Sequence, residues 1–78
     1  MRRDLPRAIG RRVRELRREL RISQEELAAR ADLHRNYVGS VERGERDIGI
    51  GALGRLAWAL EVSLAEFFAP FSQQARPR

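Results

Sequence analysis

Apolar residues recur at helical spacing along most of the chain. Leu5, Ile9, Val13, Leu16 and Leu20 follow one another in steps of four, four, three and four, which predicts an amphipathic helix from about Pro6 to Arg21. Asp4 stands where an N-cap is expected, and Pro6 sits in the first turn, where a missing N–H costs little. Ser23 with Glu26 three residues on reads as a capping box opening a short helix over Gln24–Ala31, with Leu27, Ala28 and Ala31 on its apolar side. Asp32-Leu33 interrupts it. A third helical pattern runs from about Arg35 to Arg43 with Tyr37, Val38 and Val41 inward, His34 at its N-cap and Gly44 placed as a left-handed C-cap. Gly49 and Gly51 offer no side chain to start the next helix, which carries Leu53, Leu56, Ala57 and Leu60. Ser63 with Glu66 opens a fifth helix holding Leu64, Phe67 and Phe68, and Pro70 is expected to close it. The pattern predicts an all-α fold, a compact five-helix bundle without strands, with a domain over 1–71 and a polar, disordered tail over 72–78.

Two short helices joined by a tight turn, the second with Arg, Asn and Ser on its outer side, form the pattern of a DNA-reading helix-turn-helix. Helices two and three fit it. The outer face of helix three is Arg35, Asn36, Gly39 and Ser40. Arginine in the first turn can fork onto guanine O6/N7, and asparagine can pair with adenine N6/N7. Gly39 either lets the helix approach DNA closely or is simply tolerated. Gln24, at the start of helix two, is placed for a phosphate or is an ordinary first-turn residue. Arg43 and Arg46 complement the end of helix three in any protein. Tyr37 can pack inward while its hydroxyl meets a phosphate.

Charge sharpens the picture. The chain of 78 residues carries a net +5, and every cationic residue is arginine. A GC-rich genome would give that usage, so the distribution is the informative part. Residues 1–21 hold nine arginines against three acids, whereas residues 22–78 hold seven against eight. A localised basic face is the footprint of a polyanion binder, the alternative being a solvated face laced with i,i+4 ion pairs.

The same composition excludes much else. With no cysteine there is no disulfide framework or thiolate metal site, which fits a cytoplasmic protein. MRRDLPRAIG is basic but lacks an apolar segment, so it does not read as a secretory signal, and no apolar run is long enough to span a membrane. One histidine, no phosphate-cradling glycine loop and no paired carboxylates argue against an enzyme, a metal site, a cofactor or a small-molecule ligand. GIGALG follows no strand and is no dinucleotide fingerprint.

QEELAARA, YV, VERGER and ALEVSLAEFF, spread over roughly residues 7–68, resemble the Cro/CI-like (XRE) helix-turn-helix regulators. Arg35 and Tyr37, Glu42-Arg43, Arg46 and Phe67-Phe68 are similar to the pattern of the small controller proteins of restriction–modification systems. The resemblance implies a lambda-repressor-like fold and a homodimeric transcriptional regulator of double-stranded DNA with a palindromic operator. It implies base reading by Arg35, Asn36, Ser40 and Arg46, and phosphate contacts from Ser23, Gln24, Tyr37 and Arg43. It also implies a structural ion pair between Arg17 and Glu42. Trp58, Leu60, Phe67, Phe68 and Phe71 exceed what so small a core easily hides, so a dimer interface is expected among them, the alternative being that all are core. Other readings in view are the antitoxin of a toxin–antitoxin pair, an interaction adaptor that has lost DNA binding, and an RNA or membrane-surface binder acting through the arginine-rich leader.

Overall fold

The structure, a computed structural model, describes residues 4–74. Five helices follow in order: α1 (Leu5–Glu19), α2 (Gln24–Ala31), α3 (Arg35–Glu42), α4 (Ile50–Ala59) and α5 (Leu64–Phe68). A 3-10 segment continues over Ala69–Gln74, and the described residues contain no strand. α1 packs on α3, and α2 packs on both α3 and α4. Their apolar stripes meet in one core, with Val13, Leu27, Val38, Leu56 and Phe67 wholly buried at its centre.

Local chemistry explains most helix ends. Ser63 Oγ accepts from the Glu66 N–H at 3.0 Å, and the Glu66 carboxylate accepts from the Ser63 N–H at 2.8 Å, closing the capping box. The bond from the Ser63 N–H is the largest cause holding the Glu66 carboxyl below the usual carboxylate range, and the Ser63 side chain lowers it further. The capping box therefore contributes fully above the ordinary glutamate range, and its contribution fades as pH falls through the lowered value. Ser23 caps α2 through the Glu26 N–H at 3.0 Å. Asp4 occupies the N-cap position of α1 but makes no capping hydrogen bond, because its backbone is not extended there. α4 starts at Gly49, also without a side-chain cap.

Gly44 has φ +75° and follows α3 in the left-handed conformation that glycine allows. Three other helix ends use the same conformation without glycine, at Arg21, Asp32 and Glu61.

The C-terminal end departs from the sequence reading. α5 stops at Phe68, and Pro70 lies inside the 3-10 segment rather than ending the helical path. Residues 72–74 of the expected disordered tail belong to that segment, and residues 75–78 lie outside the described residues. Arg12 on α1 ties α5 down. Its Nε donates to the Phe67 carbonyl and its Nη2 to the Glu66 carbonyl, each at 2.7 Å, at the end of α5, where the Glu66 carbonyl also accepts from the Ala69 N–H.

Candidate nucleic-acid interface

α2 and α3 are joined by a turn that Asp32 makes possible. It adopts φ +56°, and the Leu33 N–H returns to the Ala28 carbonyl at 2.9 Å. Aspartate tolerates this conformation better than most side chains. His34 then caps α3, its Nδ1 accepting from the Asn36 N–H at 3.1 Å. The Val38 and Val41 side is buried, and the opposite side of the first turn faces solvent.

Arg35 and Asn36 are the two exposed polar side chains of that first turn. Neither side chain has a hydrogen bond or ion pair among the described residues. They combine forked donors with an amide, the pair of groups that distinguishes base edges in a major groove.

Ser40 departs from the expectation that it reads a base. It is buried, its hydroxyl donates to the Tyr37 carbonyl at 2.8 Å, and it accepts from Arg46 Nε at 3.1 Å. Its hydroxyl proton is committed within the helix, so Ser40 serves to hold Arg46. The Arg46 guanidinium also lies 5.2 Å from the centre of the Tyr37 ring, close enough for a cation–π contact. Tyr37, Ser40 and Arg46 thus form one cluster at the end of α3. Arg43 stands beside it, paired through Nε with Glu45 Oε2 at 3.1 Å in solvent. The hydrogen bond to Arg43 is the largest cause of a lowered Glu45 carboxyl, and the charge of Arg46 adds to it.

Glu42 is the hub under this surface. Its side chain is 1% exposed and receives a fork from Arg17, Nε to Oε2 at 2.6 Å and Nη2 to Oε1 at 3.0 Å. Arg17 Nη1 also donates to the Ile22 carbonyl at 2.9 Å. The hydrogen bond to Glu42 raises the Arg17 guanidinium above its ordinary value, against the opposing effect of burial. The expected ion pair is therefore present, and it is larger than a pair. Gln24 Nε2 donates to Glu42 Oε1 at 2.9 Å, and Arg14 Nε lies 3.7 Å from the same oxygen. One amide N–H of Gln24, the residue expected to meet a phosphate, is thus given to Glu42, which leaves its second amide N–H and its backbone N–H. Ser23 is exposed and uses its oxygen for the cap. Gly39 makes room for this arrangement: a Cβ there would lie 3.2 Å from Arg43 Nη1 and 3.5 Å from Gln24 Oε1.

The aromatic expectation divides. Leu60 and Phe67 are 2% and 0% exposed, so both belong to the monomer core and offer nothing to a partner. Phe68 and Phe71 are half-buried and continue an edge-to-face row from Phe67, with centroids 5.0 and 5.3 Å apart. Trp58 is 75% exposed; Ile50, which the sequence reading did not single out, is 86% exposed, and Leu64, read from the sequence as a core residue of the fifth helix, is 47% exposed. Arg14 and Glu45 also escaped that reading. Arg14 could have been found three residues before Arg17, on the same side of α1.

Among the described residues no cluster of three or more His, Asp or Glu could hold a metal ion, and no helix is long and apolar enough to cross a membrane.

The family described as Helix-turn-helix (HTH_3) matches residues 13–67. The control protein C.SmaI of Serratia marcescens is 43% identical over 61 residues, covering 78% of this chain and 73% of that protein. The control protein C.MunI of a Mycoplasma species is 32% identical over 72 residues, covering 91% and 97% of the two chains. The solved structure of the restriction–modification controller protein C.AhdI of Aeromonas hydrophila matches with a TM-score of 0.78 and 43% identity, over 81% of this chain and 96% of that one. The C.Esp1396I controller tetramer, in complex with its natural 35 base-pair operator, matches with a TM-score of 0.83 and 30% identity, over 90% and 92%.

Proposed function

The chain belongs to the Cro/CI-like helix-turn-helix family, and on that premise we propose that it is a homodimeric, sequence-specific regulator of transcription of the restriction–modification controller type. The observation that carries this reading is the pair Arg35 and Asn36, exposed and uncommitted on the first turn of α3. They read base edges in the major groove. Arg46, aimed by Ser40 and Tyr37, and Arg43 meet the backbone and the groove edge beside them. Ser23 and the first-turn N–H groups of α2 take a phosphate.

A second copy pairs through the exposed apolar side chains of α4 and α5, Ile50, Trp58 and Leu64. A two-fold dimer sets its two reading helices roughly 34 Å apart, one turn of DNA, and so selects a palindromic operator. The protein acts on DNA and therefore in the cytoplasm, without cofactor or catalysis.

A gel shift with the DNA upstream of the protein's own gene tests the reading. One shifted species that survives random competitor and weakens steeply between about 50 and 200 mM salt is expected. Loss of every band to an equal mass of random competitor would refute sequence-specific binding.

A further inference from the structure

The notable feature left unused is a row of arginines along α1. Arg7, Arg11, Arg14 and Arg18 follow one another at steps of four, three and four, and all four are exposed. At roughly 100° per residue they fall within an arc of about 60°, opposite the apolar stripe, and span about 16 Å of helix. Among the described residues Arg7, Arg11 and Arg18 have no ion pair, and Arg14 has only its 3.7 Å approach to Glu42. The two acids of α1 do not neutralise the row. Glu15 is bonded to Arg12 at 2.7 Å, and although Glu15 and Glu19 share the groove under Pro70 and Phe71 with Arg11, Arg14 and Arg18, neither forms an ion pair with the row. Surface helices ordinarily intersperse signs along a face. Four like charges at one-turn spacing repel one another, and among the described residues only the approach of Arg14 to Glu42 compensates any of them.

The row is also continuous with the reading surface. Arg14 reaches the Glu42 hub at the end of α3. A Cβ on Gly44 would lie 2.9 Å from the Arg7 Cα, so the first turn of α1 backs directly onto the loop that carries Arg46.

We propose that Arg7, Arg11, Arg14 and Arg18 form a second, sequence-independent binding surface for the phosphate backbone of duplex DNA flanking the base pairs that α3 reads. The proposal rests on the reading of α3 as the DNA-reading element. Guanidinium groups about 5 Å apart along a rigid helix present charge to a phosphate strand without side chains having to converge. The surface adds affinity for every sequence alike and lengthens the contacted DNA beyond the palindrome.

The test is the triple variant Arg7→Gln/Arg11→Gln/Arg18→Gln, with the matching triple Arg→Lys variant as its charge-preserving control. Arg14 is left in place because it approaches Glu42. Binding is titrated against salt on two operator duplexes, one ending at the palindrome and one extended by about one helical turn on each side. The unaltered protein is expected to bind the extended duplex more tightly and with a steeper salt dependence. In the glutamine variant this gain disappears and the slope of log K against log salt falls by about 2 or more, since each lost phosphate contact removes about 0.9. The lysine variant keeps most of the gain. The ratio of operator to random-duplex affinity is unchanged or rises. A glutamine variant with the same slope and the same flank gain as the unaltered protein would overturn the proposal, as would an unaltered protein that gains nothing from the flanks. Absence of operator preference in the unaltered protein would instead overturn the reading of α3, and would do so on either duplex.

Discussion

Replacing Arg17 with alanine is expected to remove 3–5 kcal/mol of stability, the cost of leaving a buried carboxylate without its partner. Glu42 is 1% exposed and cannot recover water in place of the lost fork. The domain as a whole is stabilised by only about 4–12 kcal/mol at this chain length, so the variant lies near the edge of folding. Arg14 Nε, 3.7 Å from Glu42, and the Gln24 amide at 2.9 Å remain to share the charge, which favours the lower end of the range. Urea unfolding measures it: the midpoint falls sharply while the slope stays constant. The paired replacement Arg17→Met/Glu42→Leu recovers much of the loss, because two packed apolar side chains need no desolvation compensation. A loss below about 1 kcal/mol for Arg17→Ala would place the pair with surface ion pairs and remove Glu42 as the hub joining α1, α2 and α3.

Gly10→Ala is expected to cost about 3 kcal/mol, at the upper end of overpacking effects. A Cβ at Gly10 would overlap the Val41 carbonyl oxygen and lie 2.8 Å from that of Glu42. Both obstacles are backbone atoms at the end of α3, so no side chain can swing aside. α1 would have to move away from α3, and the Arg17–Glu42 fork would stretch with it. Gly54→Ala is the control. Nothing lies within 4 Å of a Cβ at Gly54 in α4, so there alanine gains about 0.5–1 kcal/mol from helix propensity alone. Thermal unfolding should separate the two variants by well over 10 °C in a domain of this size. Equal midpoints would mean that α1 and α3 do not approach as closely at Gly10 as the structure has them.

The contrast between these glycines marks how far the residues alone could lead. Helix boundaries were legible where a side chain makes the end: Ser63 closes the capping box that its spacing with Glu66 demands, Ser23 forms the capping half of its box while the Glu26 carboxylate bonds Arg30 instead, and Gly44 is left-handed as its place after α3 requires. Ends made by the backbone alone were not. Arg21, Asp32 and Glu61 take positive φ without the glycine that would announce it, and Pro70 sits in a 3-10 turn that tolerates it.

Much of the site was legible as residue types on a helical face, which places Arg35 and Asn36 outward and Val38 and Val41 inward. It could not say which polar groups are spent on one another. Ser40 looks like a ligand by type and position, but it is buried with its hydroxyl on the Tyr37 carbonyl, and Gln24 shares its amide with the carboxylate of Glu42. Among the aromatics, Phe67 and Trp58 are equally apolar in the sequence, and only the path of α4 and α5 buries the first and exposes the second. Gly10 was invisible because close approach depends on the neighbouring helix, which local periodicity does not describe.

The central claim is that α3 reads bases through Arg35 and Asn36, whose side chains no other described residue engages. It is tested most directly by measuring the affinity of Arg35→Ala for the operator and for random duplex of equal length at one salt concentration. The account predicts that operator affinity falls by about 1–3 kcal/mol while random-duplex affinity changes little beyond the loss of one charge, so the specificity ratio drops at the contacted position. Equal losses on the two duplexes would contradict it, since Arg35 would then be a phosphate contact and base reading would have to come from elsewhere.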